Sequence, residues 1–335
     1  MAQIRVTQGK QPQGVANGDR IYITYGHDDA IWCIASADGG KRFDAPVCVI
    51  RAPKIPLGMR RGPRIAAIDD GIVITSAIDG DVRAFRSKDQ GRTFSEGLKI
   101  TDSPNAAREG FGAVASDRHQ KLFCVWPDMR NGKMEIWGAS STDGGKTFSA
   151  NIRIYKSPAG AICPCCHPSV TFGPDGKIYV MFRNDIDDHR DMYLARTDDG
   201  GKTFSPAQKL GNGTWKFNAC PMDGGSIAVT DRVLTVWRRE SDIFVSDPNE
   251  PETRLGAGMQ PVISPDTAQI AWITRRGGDL LVRENGSNRK IASAAGDPAF
   301  AGSMLLWESA GAIWCSRLDS PASRDKDTRL DIKQP

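Results

Sequence analysis

Four near-copies of one eight-residue segment constrain this chain more than any other feature. Residues 36–43 read SADGGKRF, 87–94 SKDQGRTF, 141–148 STDGGKTF and 197–204 TDDGGKTF, all fitting Ser/Thr-x-Asp-x-Gly-x-x-Phe. Each copy lies between two strand-like runs, so its chemistry predicts a hairpin turn. The carboxylate of Asp38, Asp89, Asp143 or Asp199 folds onto nearby backbone N–H groups, glycine supplies φ > 0, and phenylalanine plugs between strands. Self-similarity at a period of about 40–55 residues is the mark of a propeller, which makes one closed domain from a length that could hold two.

Aligning the chain on these turns yields a longer unit: inner strand A, strong strand B, a loop, strand C, the turn, and outer strand D. The fourth unit has A at 168–172, B at 177–182, C at 191–195 and D at 207–210. Strand B recurs at 20–25, 72–76, 121–126, 232–237, 269–272 and 303–307, although the turn motif fades after its fourth copy. Counting B strands predicts an all-β propeller of seven four-stranded blades, with six as the alternative. The last blade has no D strand of its own, whereas residues 2–6 resemble the D strand at 207–210. The N-terminal strand is therefore expected to close the ring and leave no open sheet edge. The propeller is expected over residues 1–320, followed by a polar tail over 321–335.

Composition narrows the partners. A net charge of +4, with 25% charged residues not gathered into one run, gives no footprint for nucleic acid. No apolar run approaches the ~18 residues of a membrane span, and the opening MAQIRV lacks the apolar core of a signal peptide. Trp126, Trp237, Trp272 and Trp307 end B strands, where packing between blades accounts for them. Of eight cysteines, Cys33, Cys48, Cys124 and Cys315 fall within predicted strands and read as small buried hydrophobes.

Up-and-down strand order puts the D–A and B–C loops on the face opposite the repeated turns. The D–A segments end just before inner strands and so converge on the mouth of the axis. One of them carries Cys163, Cys165, Cys166 and His167 as CPCCH; the next carries Cys220 and Met222. Three readings stand for this group. Cys165 or Cys166 could pair with Cys220 as a disulfide staple between two loops. Thiolates with His167 and Met222 are also a donor set for copper or another soft metal. Finally, Cys163-x-x-Cys166-His167 matches c-type haem attachment.

The repeated turn resembles the Asp-box, or BNR repeat, of the sialidase-like β-propellers, in which it is a structural turn on the face away from the active site. That resemblance implies six blades, against the seven counted. It also implies an exported protein, periplasmic or secreted with its leader removed, with a cytoplasmic location as the alternative. The family's exo-sialidase activity implies an arginine triad for the substrate carboxylate, for which Arg61, Arg183 and Arg238 are available. It further implies a tyrosine nucleophile activated by a glutamate, and an aspartate acid/base. Tyr25 and Tyr155 lie near strand ends on the required face, and Glu240 and Asp128 supply the acids. The Arg-Ile-Pro motif that opens the sialidase domain is absent, Pro63-Arg-Ile-Ala66 being a loose echo. Three functions follow: a soft-metal or redox centre at the cysteines, a sialidase-type glycosidase, or a protein-binding scaffold with a stapled mouth. The axial mouth would accept a metal, a small molecule or a glycan.

Overall fold

The structure, a computed structural model, describes residues 3–318; the tail at 321–335 lies outside them. Within that span the chain forms 27 strands, β1 to β27, and no helix. The fourth unit sets the pattern, with β14 (Ser169–Phe172), β15 (Ile178–Arg183), β16 (Met192–Thr197) and β17 (Gln208–Lys209) pairing antiparallel in that order. All six residues of β15 are buried, because a second strand of a propeller blade is covered on both faces by neighbouring blades.

Five sheets have four strands, and a sixth has seven, ordered β1-β27-β26-β25-β24-β23-β22. The long β25 (Ser287–Ala301) explains the larger sheet. Its first part, to Ala295, pairs with β24 (Gly278–Glu284), and its last part, from Gly296, pairs with β26 (Met304–Ser309). One strand thus serves as the outer edge of one four-stranded ladder and the inner edge of the next, and seven such ladders are present among the described residues. The inner strands touch in cyclic order: β2 (Lys10–Asn17), β6 (Arg64–Ile68), β10 (Ala113–Ser116), β14, β18 (Ser226–Val229), β22 (Met259–Ile263), then β25, which returns to β2. The ring is shut by β1 (Ile4–Gln8), which pairs with β27 (Ala312–Arg317) from Ile4↔Cys315 to Gln8↔Ala312.

The four repeated turns are built alike. In the third, Asp143 Oδ1 accepts the N–H groups of Lys146 and Thr147 at 3.0 Å, and the Ser141 hydroxyl donates to the same carboxylate at 2.8 Å. Hydrogen bonds from Thr147 and Ser141 and from the turn's backbone hold Asp143 down to about 2, more than offsetting its partial burial. Asp38, Asp89 and Asp199 make the same backbone contacts and are likewise held below the ordinary carboxylate range. Each phenylalanine then packs between blades. Phe204 sits 5.7 Å from Phe123 of β11 (Leu122–Asp128), and Phe43 joins the cluster containing Met304 of β26, across the closure of the ring.

Trp126, Trp237, Trp272 and Trp307 are all buried in these inter-blade cores, as are Cys33, Cys124 and Cys315. Burial pushes the Cys33 and Cys315 thiols up to about 12. Cys48 departs from its expectation and is exposed, because β5 (Val47–Arg51) is an outer strand with one face toward solvent. Among the described residues no helix is long and apolar enough to cross a membrane.

Candidate functional site

The loop between β13 (Ile152–Tyr155) and β14 brings three cysteines together at the mouth of the axis. Its course is fixed from the β15 side: Ile162 bridges Asn184, and the Cys163 N–H donates to the Arg183 carbonyl at 3.1 Å. Beyond Cys163 the chain turns through Pro164 and returns Cys165 and Cys166 beside it. The Cys163 Sγ lies 3.6 Å from that of Cys165 and 3.5 Å from that of Cys166, and all three sulfurs fall within 4.8 Å of one another. Cys163, Cys165 and Cys166 are 0%, 8% and 3% exposed, with Met222 packed against them. These separations far exceed the ~2.05 Å of a disulfide, and every cysteine among the described residues is free. They lie close to the ~3.8 Å that separates thiolates sharing one tetrahedral ion at ~2.3 Å.

The neighbouring Cys165 and Cys166 thiols, and then the Arg183 guanidinium, pull the Cys163 thiol below its ordinary value. Cys165 is pushed up to about 12, chiefly by the adjacent Cys163 sulfur, and Cys166 is pushed up by burial.

Two residues expected in this cluster stand apart from it. Cys220, on the loop between β17 and β18, is exposed and lies outside the group of three. His167 is also outside the group, since its ring turns toward the next blade, where Nδ1 accepts the Gly224 N–H at 3.3 Å. Burial, and then Arg60, Arg64 and Arg183, push His167 well below its ordinary value and keep the imidazole neutral. For haem attachment, Cys163 and Cys166 would have to flank an open pocket; here their sulfurs touch, and both are buried.

Around the axis runs a polar network whose roles the sequence reading missed. Gln11, Gln260 and Asp297 adopt left-handed φ of 55°, 54° and 47°, each just before a proline. Asp297 accepts from Gln11 Nε2 at 2.5 Å and from Gln260 Nε2 at 3.0 Å, while the Gln260 N–H donates to Asp223 Oδ2 at 2.7 Å. Asp223 is fully buried, its Oδ1 has no hydrogen-bond partner, and burial pushes its carboxyl up against the opposing pull of Arg60, Arg183 and Arg238. The recurring pair of a residue and proline before inner strands, at Gln11, Gly62, His167, Gln260 and Asp297, was the available signal.

The residues expected to form a sialidase centre do not assemble as one. Arg183 is buried and donates to the carbonyls of Asp223 at 3.1 Å and Arg238 at 2.9 Å, and also to that of Arg190. Arg183 and Arg238 share the Trp215 ring, at 5.3 and 5.4 Å from its centroid. Arg61 is instead tied to the Glu109 carbonyl at 2.5 Å and stacked on Phe111 at 4.3 Å, while the neighbouring Arg60 is buried and donates to the Pro298 carbonyl at 2.9 Å. The Tyr25 hydroxyl is buried beside Thr7 at 3.4 Å, and that of Tyr155 accepts from Asn184 Nδ2 at 2.7 Å. Neither hydroxyl has a carboxylate partner among the described contacts, and burial pushes both phenols up. Asp128 is fully buried, accepting from Trp126 Nε1 at 2.7 Å and Arg130 Nη2 at 2.8 Å. Glu240 is exposed, and its carbonyl accepts from Arg238 Nε at 2.6 Å. These side chains are spent on capping strands and packing blades.

A family model described as a BNR repeat-like domain matches residues 78–230, the span that holds the second, third and fourth repeated turns. The chain folds as a β-propeller with Asp-box turns, and its middle portion is similar to the BNR repeat-like family. No curated protein sequence matches it. Among solved structures, the propeller is similar to the intramolecular trans-sialidase from Ruminococcus gnavus, with a TM-score of 0.56 at 10% identity, covering 93% of this chain and 95% of that one. It is also similar to the Hadza microbial sialidase Hz136, at a TM-score of 0.52 and 12% identity over 87% of this chain and 74% of the other. The Dos1 propeller gives 0.52 at 11% identity over 93% of each. At such identities the likeness of this propeller to all three is one of fold.

Proposed function

We propose that this propeller binds a soft metal ion, Cu(I) by preference, on Cys163, Cys165 and Cys166 at the mouth of its axis. The observation that carries the reading is the enclosed sulfur trio, with Cys163 at 3.5 and 3.6 Å from its two partners. Three sulfurs with a thioether at Met222 are a donor set that selects a soft ion, whereas structural zinc is completed by a fourth thiolate or imidazole. Of the two residues that could fill that fourth place, His167 is committed to Gly224 and Cys220 lies outside the group of three. Burial excludes water from the ion, and the Arg183 guanidinium balances the charge of the thiolates. The setting suits an exported protein, as the resemblance implies, because a bound ion would keep three adjacent thiols from oxidising to a disulfide.

Anaerobic titration of the reduced protein with Cu(I), against a competing chelator, tests the reading. One equivalent should survive the competition and show thiolate-to-copper absorption in the ultraviolet, and zinc should fail to displace it. Exchanging both Cys163 and Cys166 for serine should weaken retention by about a hundred-fold or more. A wild-type protein that retains no copper would refute the proposal.

A further inference from the structure

The sulfur trio is arranged around Cys163, whose Sγ meets both of the others, at 3.6 Å from Cys165 and 3.5 Å from Cys166. Closing the shorter gap to the ~2.05 Å of a disulfide asks for only about 1.5 Å of sulfur movement. The backbone need not follow, because the loop is held at both ends. The Cys163 N–H donates to the Arg183 carbonyl, the His167 ring accepts the Gly224 N–H, and the Ser169 hydroxyl donates to the Gly225 carbonyl. Cys165 is the most exposed of the three, at 8%, and so the point of entry from solvent. By contrast, Cys33, Cys124 and Cys315 lie singly in three different inter-blade cores.

Resting on the copper-binding reading above, we infer that the trio is a redox gate: in the empty site hydrogen peroxide closes a Cys163–Cys166 disulfide, which shuts the site to copper until a thiol reductant reopens it. The closure is a two-electron oxidation of two thiols, and the peroxide is reduced to two waters. The Cys165 sulfur bonds to one peroxide oxygen, the O–O bond breaks, and the departing hydroxide leaves as water with the thiol proton. Cys163 then attacks the oxidised Cys165 sulfur across 3.6 Å; the S–O bond breaks, and the hydroxyl leaves as the second water with the Cys163 proton. Cys166, 3.5 Å from Cys163, displaces Cys165 from this disulfide and passes it a proton. The exchange runs toward Cys166 because Cys163 and Cys165 are separated by Pro164 alone and close a tighter ring, and a strained disulfide is the more labile one. Two molecules of a thiol reductant restore the pair and leave as their own disulfide. Once closed, the site keeps only the Cys165 thiol and the Met222 thioether for an ion. When the site is filled, the ion occupies the sulfurs and blocks the same oxidation.

The test treats the reduced, empty protein with hydrogen peroxide, beside a form loaded with Ag(I), a soft monovalent stand-in for Cu(I) that peroxide does not oxidise. Remaining thiols are alkylated, and disulfides are located by peptide mass spectrometry. The empty form should lose two thiols of the trio to a Cys163–Cys166 bond that dithiothreitol reverses, and the loaded form should keep all three over the same time. The oxidised protein should retain Cu(I) about a hundred-fold more weakly or worse, and reduction should restore retention. Cys166→Ser should stop at a Cys163–Cys165 bond, with circular dichroism showing that the variant is folded. An empty wild-type trio that forms no disulfide, or an oxidised protein that retains copper as well as the reduced one, overturns the gate and leaves the copper-binding reading standing. Equal oxidation of the loaded form overturns the gate as well. A protein that closes the disulfide yet takes up no copper when reduced refutes the copper-binding reading, and the gate falls with it.

Discussion

The fourth Asp-box offers a test of how the turn motif locks one blade to the next. Gly200 and Gly201 are adjacent, with left-handed φ of 76° and 92°, so alanine at either is strained by its backbone alone. That shared cost is about 1 kcal/mol. They differ in surroundings: a Cβ on Gly200 meets nothing within 4 Å, whereas one on Gly201 would lie 2.3 Å from Cε2 of Phe123. The Phe123 ring cannot swing aside, since it is fully buried in the preceding blade and packed against Phe204. Overpacking of this kind adds about 1–3 kcal/mol. Gly201→Ala should therefore be less stable than Gly200→Ala by about 2 kcal/mol, roughly a thirty-fold change in the folded-to-unfolded ratio. Urea unfolding followed by tryptophan fluorescence should show a lower midpoint for Gly201→Ala at unchanged m. Combining Gly201→Ala with Phe123→Leu should recover part of the loss relative to the sum of the two single changes. Equal destabilisation at both glycines, or strict additivity in the double variant, would refute the inter-blade argument.

Asp128→Asn should act on stability rather than on chemistry. It removes the charge that pairs with Arg130, which is only 13% exposed, so a loss of about 3 kcal/mol in thermal or urea unfolding is expected; an intact melting curve with a lost glycosidase activity would reverse that assignment. Deleting residues 1–8 should uncover the edge of β27 by removing β1, and size-exclusion chromatography should then show self-association. A truncated chain that stays monomeric and equally stable would show that the closing strand is dispensable.

The strand order was legible because its signals are local. An Asp-box satisfies its own backbone within four residues, as Asp143 does with Lys146 and Thr147, so the motif announces the turn wherever the chain runs. Alternation and short apolar runs located every B strand, and the missing last D strand pointed to the N-terminus, which β1 supplies by pairing with β27. The same reasoning placed the cysteines in a D–A loop, since loop position follows from strand order.

Which side chains meet at the axis was not legible. Asp297 joins Gln11 from 286 positions away and Gln260 from 37, a convergence set by the placement of whole blades around the ring. Local backbone angles decide the rest: His167 points to Gly224 rather than to the sulfurs, and the left-handed Met222 turns inward while Cys220 remains outside. Arginines that looked available for a ligand proved to be bound to carbonyls, as Arg183 is to those of Asp223 and Arg238. The sequence by itself determined the turns, the strand succession and the loop that carries three cysteines, because each depends on neighbours a few residues apart. Only the tertiary structure decided that the trio excludes His167 and Cys220 and that the sialidase-like residues do not converge. Side-chain direction at the mouth depends on how rigid sheets from distant parts of the chain are packed around a common axis.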